Sequence, residues 1–212
     1  MLKINEIFKS IQGESSFSGL PCIFIRLTGC NLRCGYCDTE YAFYDGKSMS
    51  IDEVLDTIIP YKIKLIEITG GEPLLQEEVY PLMDRLLVKG YQVLVETGGS
   101  LSIAKVPDAV VKIMDIKCPG SGEDSKNNLD NLNHLESKDE IKFVILDRKD
   151  YEWSRSFLLQ HTSLLKAKAI MSPVYEKLGL KELAEWVLED NLPVRIQTQL
   201  HKVIWGKDVI GV

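Results

Sequence analysis

Three cysteines crowd into the passage CNLRCGYC: Cys30, Cys34 and Cys37, separated by three residues and then two. Thiolates are soft ligands that suit iron–sulfur clusters or zinc. The number three is informative. A four-iron cluster held by three cysteines keeps one iron open to an outside ligand. A tetrahedral zinc site would need a fourth ligand, from Cys22, Cys118 or a histidine. Zinc motifs usually come as two separated pairs, and no second pair exists here. Cys22 and Cys118 otherwise read as small buried or loop residues. Five cysteines, three of them within eight residues, do not make a disulfide framework.

A second passage, Thr69-Gly70-Gly71-Glu72-Pro73, follows an apolar run. Two glycines at a strand end let a ligand approach bare backbone. Alone, the passage could be a plain strand-to-helix turn.

The elements that must position these residues alternate. Strands are predicted at Ile23–Leu27, Leu65–Thr69, Gln92–Glu96, Val110–Asp115, Glu140–Ile145, Ala167–Met171 and Val194–Gln197. A helix is predicted from Ile51 to about Pro60, with Ser50 as N-cap, Glu53 completing a capping box, and Val54, Leu55, Ile58 and Ile59 buried. Others are predicted at Glu77–Lys89, with Leu82, Leu86 and Leu87 inward and Gly90 as the stop, at Tyr151–Gln160 and at Leu180–Glu189. Residues Gly120–Asn133 are polar and turn-rich and read as a loop. Strand–helix alternation indicates an α/β fold with a mostly parallel sheet. Six or seven strands are too few for a closed eight-stranded barrel, so a partial, open β/α barrel is expected. Its mouth would need covering by a terminal segment or a second subunit. The candidate residues fall just after strands, the edge where such folds carry their sites.

The chain of 212 residues fits one domain, 1–212. A net charge of −6 gives no global basic field, so no nucleic-acid partner is expected. No stretch approaches the roughly 18 apolar residues of a membrane helix, and MLKINEIFKS is no signal peptide. The expected location is therefore cytoplasmic. His134 and His161 read as surface or helix residues.

The cysteine spacing, with Tyr36 before the last cysteine, is similar to the signature of the radical S-adenosylmethionine superfamily, and Gly70–Pro73 resembles its GGEP segment. The resemblance implies a [4Fe–4S] cluster on Cys30, Cys34 and Cys37. S-adenosylmethionine would chelate the open iron, and its cleavage would give a 5′-deoxyadenosyl radical. Over nearly the full length the chain resembles the 7-carboxy-7-deazaguanine synthase family of queuosine and deazapurine biosynthesis. Four passages carry this: Ser10-Ile11-Gln12-Gly13-Glu14, Arg26 in FIRLTGCN, Cys37-Asp38-Thr39, and His201–Trp205 with the ending Gly211-Val212. Ser15 departs from that family's usual glycine.

This resemblance implies a lyase acting on 6-carboxy-5,6,7,8-tetrahydropterin. Radical ring contraction with loss of ammonia would yield 7-carboxy-7-deazaguanine, and S-adenosylmethionine would be regenerated. It implies magnesium, a homodimer, and an electron donor of flavodoxin or ferredoxin type. Substrate binding falls to Gln12, Gly13, Glu14, Arg26, Thr69, His201 and Val212. An amide and a carboxylate match a pterin's aminopyrimidinone edge, and a guanidinium suits its carboxylate. Thr39 becomes the magnesium ligand. Tyr36, Cys37, Asp38, Gly71, Glu96, Thr97, Lys117 and Ser172 are the expected S-adenosylmethionine contacts. Blander readings stand beside several of these. Arg26 and Lys117 could make surface ion pairs; Thr39, Thr97 and Ser172 could simply cap turns or strand ends. A glycyl-radical activase is the nearest enzyme alternative, and Gln12–Glu14 with His201–Trp205 argue against it. A non-catalytic zinc or iron–sulfur module is the alternative of another class.

Overall fold

The computed structural model describes residues 1–162 and 166–212. Nine strands form one sheet: β1 (Leu2–Ile11), β2 (Pro21–Leu27), β3 (Lys47–Met49), β4 (Leu65–Gly70), β5 (Gln92–Thr97), β6 (Val111–Asp115), β7 (Glu140–Ile145), β8 (Lys168–Pro173) and β9 (Arg195–Ile196). The spatial order is β3-β1-β2-β4-β5-β6-β7-β8-β9. From β2 to β9 all pairings are parallel. β1 runs antiparallel to both β2 and β3. The sheet does not close on itself, as expected of a partial barrel.

The seven parallel strands are those expected from the sequence. β1 and β3 are additional. β1 hides in the sequence because its register slips between Ile4 and Glu6, which breaks the two-residue alternation. β3 is only three residues long.

Strand alternation gives the sheet two unlike faces. Ile23, Ile25, Ile66, Ile68, Val93, Val95, Met114, Ile141 and Phe143 face outward into one large core. The helices cover it: α1 (Ile51–Ile58), α2 (Val79–Val88), α3 (Arg148–His161) and α4 (Leu180–Glu189). The inner face is divided along the strands. Cys22, Phe24, Leu65, Leu94, Val111 and Ile113 make an apolar plug. Beyond it, toward the carboxyl ends of the strands, the side chains become polar.

Helix ends follow local chemistry. Ser50 accepts from the Glu53 N–H at 3.2 Å, and Glu53 returns a bond to the Ser50 N–H at 2.7 Å, closing the capping box. α1 stops at Ile58 and a 3-10 turn holds Ile59–Tyr61, so Ile59 is 54% exposed rather than buried. Pro60 cannot donate the next helical bond. α3 starts earlier than expected because Asp147 caps it, accepting from Lys149 and Asp150. The loop at 120–133 contains short 3-10 turns. His134 is exposed, and His161 stacks on Phe157 at the end of α3.

Candidate active-site cleft

The carboxyl ends of the parallel strands open into a cleft of about 530 Å³. Cys30, Cys34 and Cys37 lie on its rim, in the loop after β2. All three are free thiols and half-buried. Burial raises each thiol pKa, and Lys117 opposes that at Cys30 and Cys34. Among the described residues no three Cys, His, Asp or Glu side chains are drawn around a single metal ion. Cys22 and Cys118 are fully buried elsewhere.

The glycine passage fits against this loop. A Cβ at Gly71 would stand 2.6 Å from Cys30 Cβ and press on the Gly29 carbonyl, so only glycine lets the two loops meet. Glu72 is fully buried. It accepts from the Leu74 N–H, the Thr97 hydroxyl and the Gly98 N–H, at 2.8–3.0 Å. The GGEP glutamate thus ties the end of β4 to the end of β5. Thr97 spends its hydroxyl on this tie.

The inner wall is built from alternate residues of successive strands. Arg26 on β2 pairs with Glu6 on β1 at 2.7 Å, both largely buried rather than on the surface. Lys117 pairs with Asp115 at 2.9 Å, again in a mostly buried position. On β7, Lys142 reaches Glu14 at 2.9 Å and also bonds Glu96. Burial alone would lower the Lys142 pKa; the two carboxylates raise it well above the usual range. Burial would likewise raise Glu14, but Lys142 and the Gln199 amide hold it below the ordinary value. Glu96 stays raised, chiefly by burial, although Lys142 opposes this. Thr69 and Ser172 are buried on the same wall.

Both chain ends cover the mouth. Gln12 and Glu14 follow β1. Helix α5 (Leu200–Trp205) is held to them from the far end of the sequence. The Leu200 N–H donates to the Gly13 carbonyl at 2.9 Å. Gln199 donates to Glu14 at 2.9 Å and to Asp38 at 3.2 Å; Lys202 pairs with Asp38 at 2.6 Å. Lys202 and the amide hold Asp38 well below its usual pKa, against burial. Thr39 donates to Asp38 at 3.0 Å and makes no side-chain cap. His201 lies against Gly13, where any Cβ would strike its ring. Burial lowers the His201 pKa, opposed by Glu14. Val212 reaches the cleft wall.

The cleft therefore gathers every residue expected to bind the cluster, S-adenosylmethionine, magnesium or substrate except Gly13, which is the seat for His201. It also holds residues not singled out: Glu67, Lys142, Asp115, Gln199 and Lys202. Glu67 and Lys142 carried a usable signal. Each is a charge inside an apolar parallel strand, where near-continuous hydrophobicity is the rule.

Comparison with known proteins adds the chemistry. Residues 24–117 match the Radical SAM superfamily. The chain is 49% identical to 7-carboxy-7-deazaguanine synthase of Koribacter versatilis, covering all of both chains. It is 46% identical to the synthase of Chlorobaculum tepidum, over 100% of this chain and 97% of that one. The crystal structure of QueE from Escherichia coli superposes with a TM-score of 0.79 at 25% identity, covering 94% of each chain.

Proposed function

Because the chain belongs to the 7-carboxy-7-deazaguanine synthase family of radical S-adenosylmethionine enzymes, we propose that its cleft converts 6-carboxy-5,6,7,8-tetrahydropterin to 7-carboxy-7-deazaguanine with release of ammonia. The observation that carries this is the convergence of three free thiols and a buried wall of paired charges on one cleft. The donor set fits a [4Fe–4S] cluster: three thiols on one short loop, with Lys117 close enough to favour the thiolate forms of Cys30 and Cys34. When bound, the cluster and S-adenosylmethionine supply a carbon-centred radical that removes hydrogen from the substrate.

The chain's own residues bind, orient and shield. Gly71 offers bare backbone beside Cys30. Asp38, Glu96 and Lys117 present the charges and acceptors that an amino acid and a ribose require, with Tyr36, Cys37, Thr97 and Ser172 around them. Glu14, ionised and fixed between Lys142 and Gln199, accepts from an aminopyrimidinone edge. Arg26 keeps guanidinium donors beyond its bond to Glu6 for the substrate carboxylate. Thr69 and His201 flank the same space. Thr39, with a hydroxyl oxygen beside the Asp38 carboxylate, is the residue that would hold magnesium, an ion that prefers oxygen ligands. The enzyme works in the cytoplasm as a homodimer and takes electrons from a flavodoxin- or ferredoxin-type donor. Burial of the wall keeps bulk water from a reactive intermediate.

The test is direct. Anaerobically reconstituted protein, given reductant, S-adenosylmethionine, magnesium and the carboxytetrahydropterin, should yield 7-carboxy-7-deazaguanine by mass spectrometry. Absence of product from protein with an intact, reducible cluster would overturn the proposal.

A further inference from the structure

Glu67 stands where the cleft wall changes from apolar to polar. It lies on β4 opposite Phe24 of β2 and Leu94 of β5, both in the apolar plug. It is 3% exposed, yet it lines the cleft. Thr69 follows it on the same face of β4, which ends at Gly70. At about 3.3 Å per residue, the strand's end lies about 10 Å beyond Glu67, and Gly71, just past it, adjoins the cysteine loop. It therefore belongs to the floor, remote from the radical end.

Its charge has no counterion. Three carboxyl groups, Glu14, Glu67 and Glu96, share this wall with one ammonium, Lys142. Lys142 bonds Glu14 and Glu96. Arg26 bonds Glu6. Among the described residues, Glu67 makes one side-chain hydrogen bond, from the Gln12 amide, which leaves Oε1 without a partner. The Gln12 carbonyl oxygen is in turn fixed by the Glu14 N–H at 2.9 Å, so the amide cannot turn round and still make both bonds.

We propose that Glu67 is a neutral carboxylic acid that recognises the lactam edge of the substrate's pyrimidinone ring. This rests on the proposed reaction and assigns one end of its substrate. A neutral carboxyl presents a donor and an acceptor side by side. That pair complements the O=C–N–H unit of a cyclic amide. Oε1–H donates to the ring carbonyl, and Oε2 accepts from the ring N–H while keeping its bond from Gln12. An ionised Glu67 could only accept, and would repel the carbonyl. The balance of burial and of the charged groups facing it fits this state. Burial raises its pKa well above the usual value, Glu96 and Glu14 push the same way, and Lys142 and Arg26 oppose them. The Cys22 thiol on β2, itself pushed up by burial, adds no positive charge. The group therefore reads a ring carbonyl against a ring amine, a specificity role distinct from radical chemistry.

The test compares wild-type holoenzyme with Glu67→Gln and Glu67→Leu. Glutamine is neutral and keeps both a donor and an acceptor, so KM for the pterin should stay within about threefold. Leucine should raise KM about tenfold or more, the scale of a buried hydrogen-bonding group left unpaired. It should also abolish the preference for the 4-oxo substrate over a 4-amino competitor. Should Glu67→Leu fail to fold, the KM–pH profile decides. Wild-type KM should climb at alkaline pH and that of Glu67→Gln should not; parallel profiles overturn the proposal. So does an unchanged KM and preference in Glu67→Leu. If wild type itself forms no deazapurine, the assigned reaction is what fails.

Discussion

At the residue scale, the five cysteines divide by environment. Cys30, Cys34 and Cys37 share a half-exposed loop, while Cys22 and Cys118 are buried in sheet and core. Replacing any one of the first three by alanine should cut bound iron and abolish reductive cleavage of S-adenosylmethionine, with the fold retained. Cys22→Ala and Cys118→Ala should leave iron content unchanged; a loss of iron there would mean that the ligand set is wrong. Glu67 offers a test by stability. Its raised pKa means the folded state binds a proton that the unfolded chain releases near pH 4.3, about the free glutamate value. Folding is therefore opposed increasingly as pH rises from that value to the folded pKa, and constantly above it. Glu67→Gln removes the opposition. The variant should melt higher than wild type at pH 8, with the gap shrinking toward pH 4. A gap independent of pH would contradict a protonated Glu67.

At the element scale, α5 and the residues around it act as a cover held by polar contacts to both sides of the mouth. Val212 reaches the cleft wall, whereas Met1 is 67% exposed and its amine only pairs with surface Glu78 at 3.5 Å. Extending the chain beyond Val212 should impair turnover more than extending it before Met1. Equal activity of the matched proteins would show that the tail does not serve the site. The sequence made the seven parallel strands legible because each is a short apolar run between turn signals. It did not reveal β1, whose bulge falsifies the alternation, nor the early start of α3, which Asp147 sets. The thiols and the glycine pair announced themselves by spacing. Lys142 and Glu67 showed only as charges inside apolar strands, and such a charge takes its role from neighbours on other strands.

At the scale of the whole molecule, the site is assembled from remote parts of the chain. The thiol loop and glycine turn lie within residues 30–73, and Lys142 comes from a strand much later. The carbonyl of Gly13 meets the N–H of Leu200 across almost the entire sequence. Contacts so distant in sequence cost the most chain entropy and form slowly. During synthesis, the cysteine loop leaves the ribosome long before residues 199–212 exist. The thiol loop is thus complete while the cleft still lacks its cover. The stitch between Gly13 and Leu200 therefore makes the cover the last part of the cleft to form, so the cleft closes only when the chain is almost fully made.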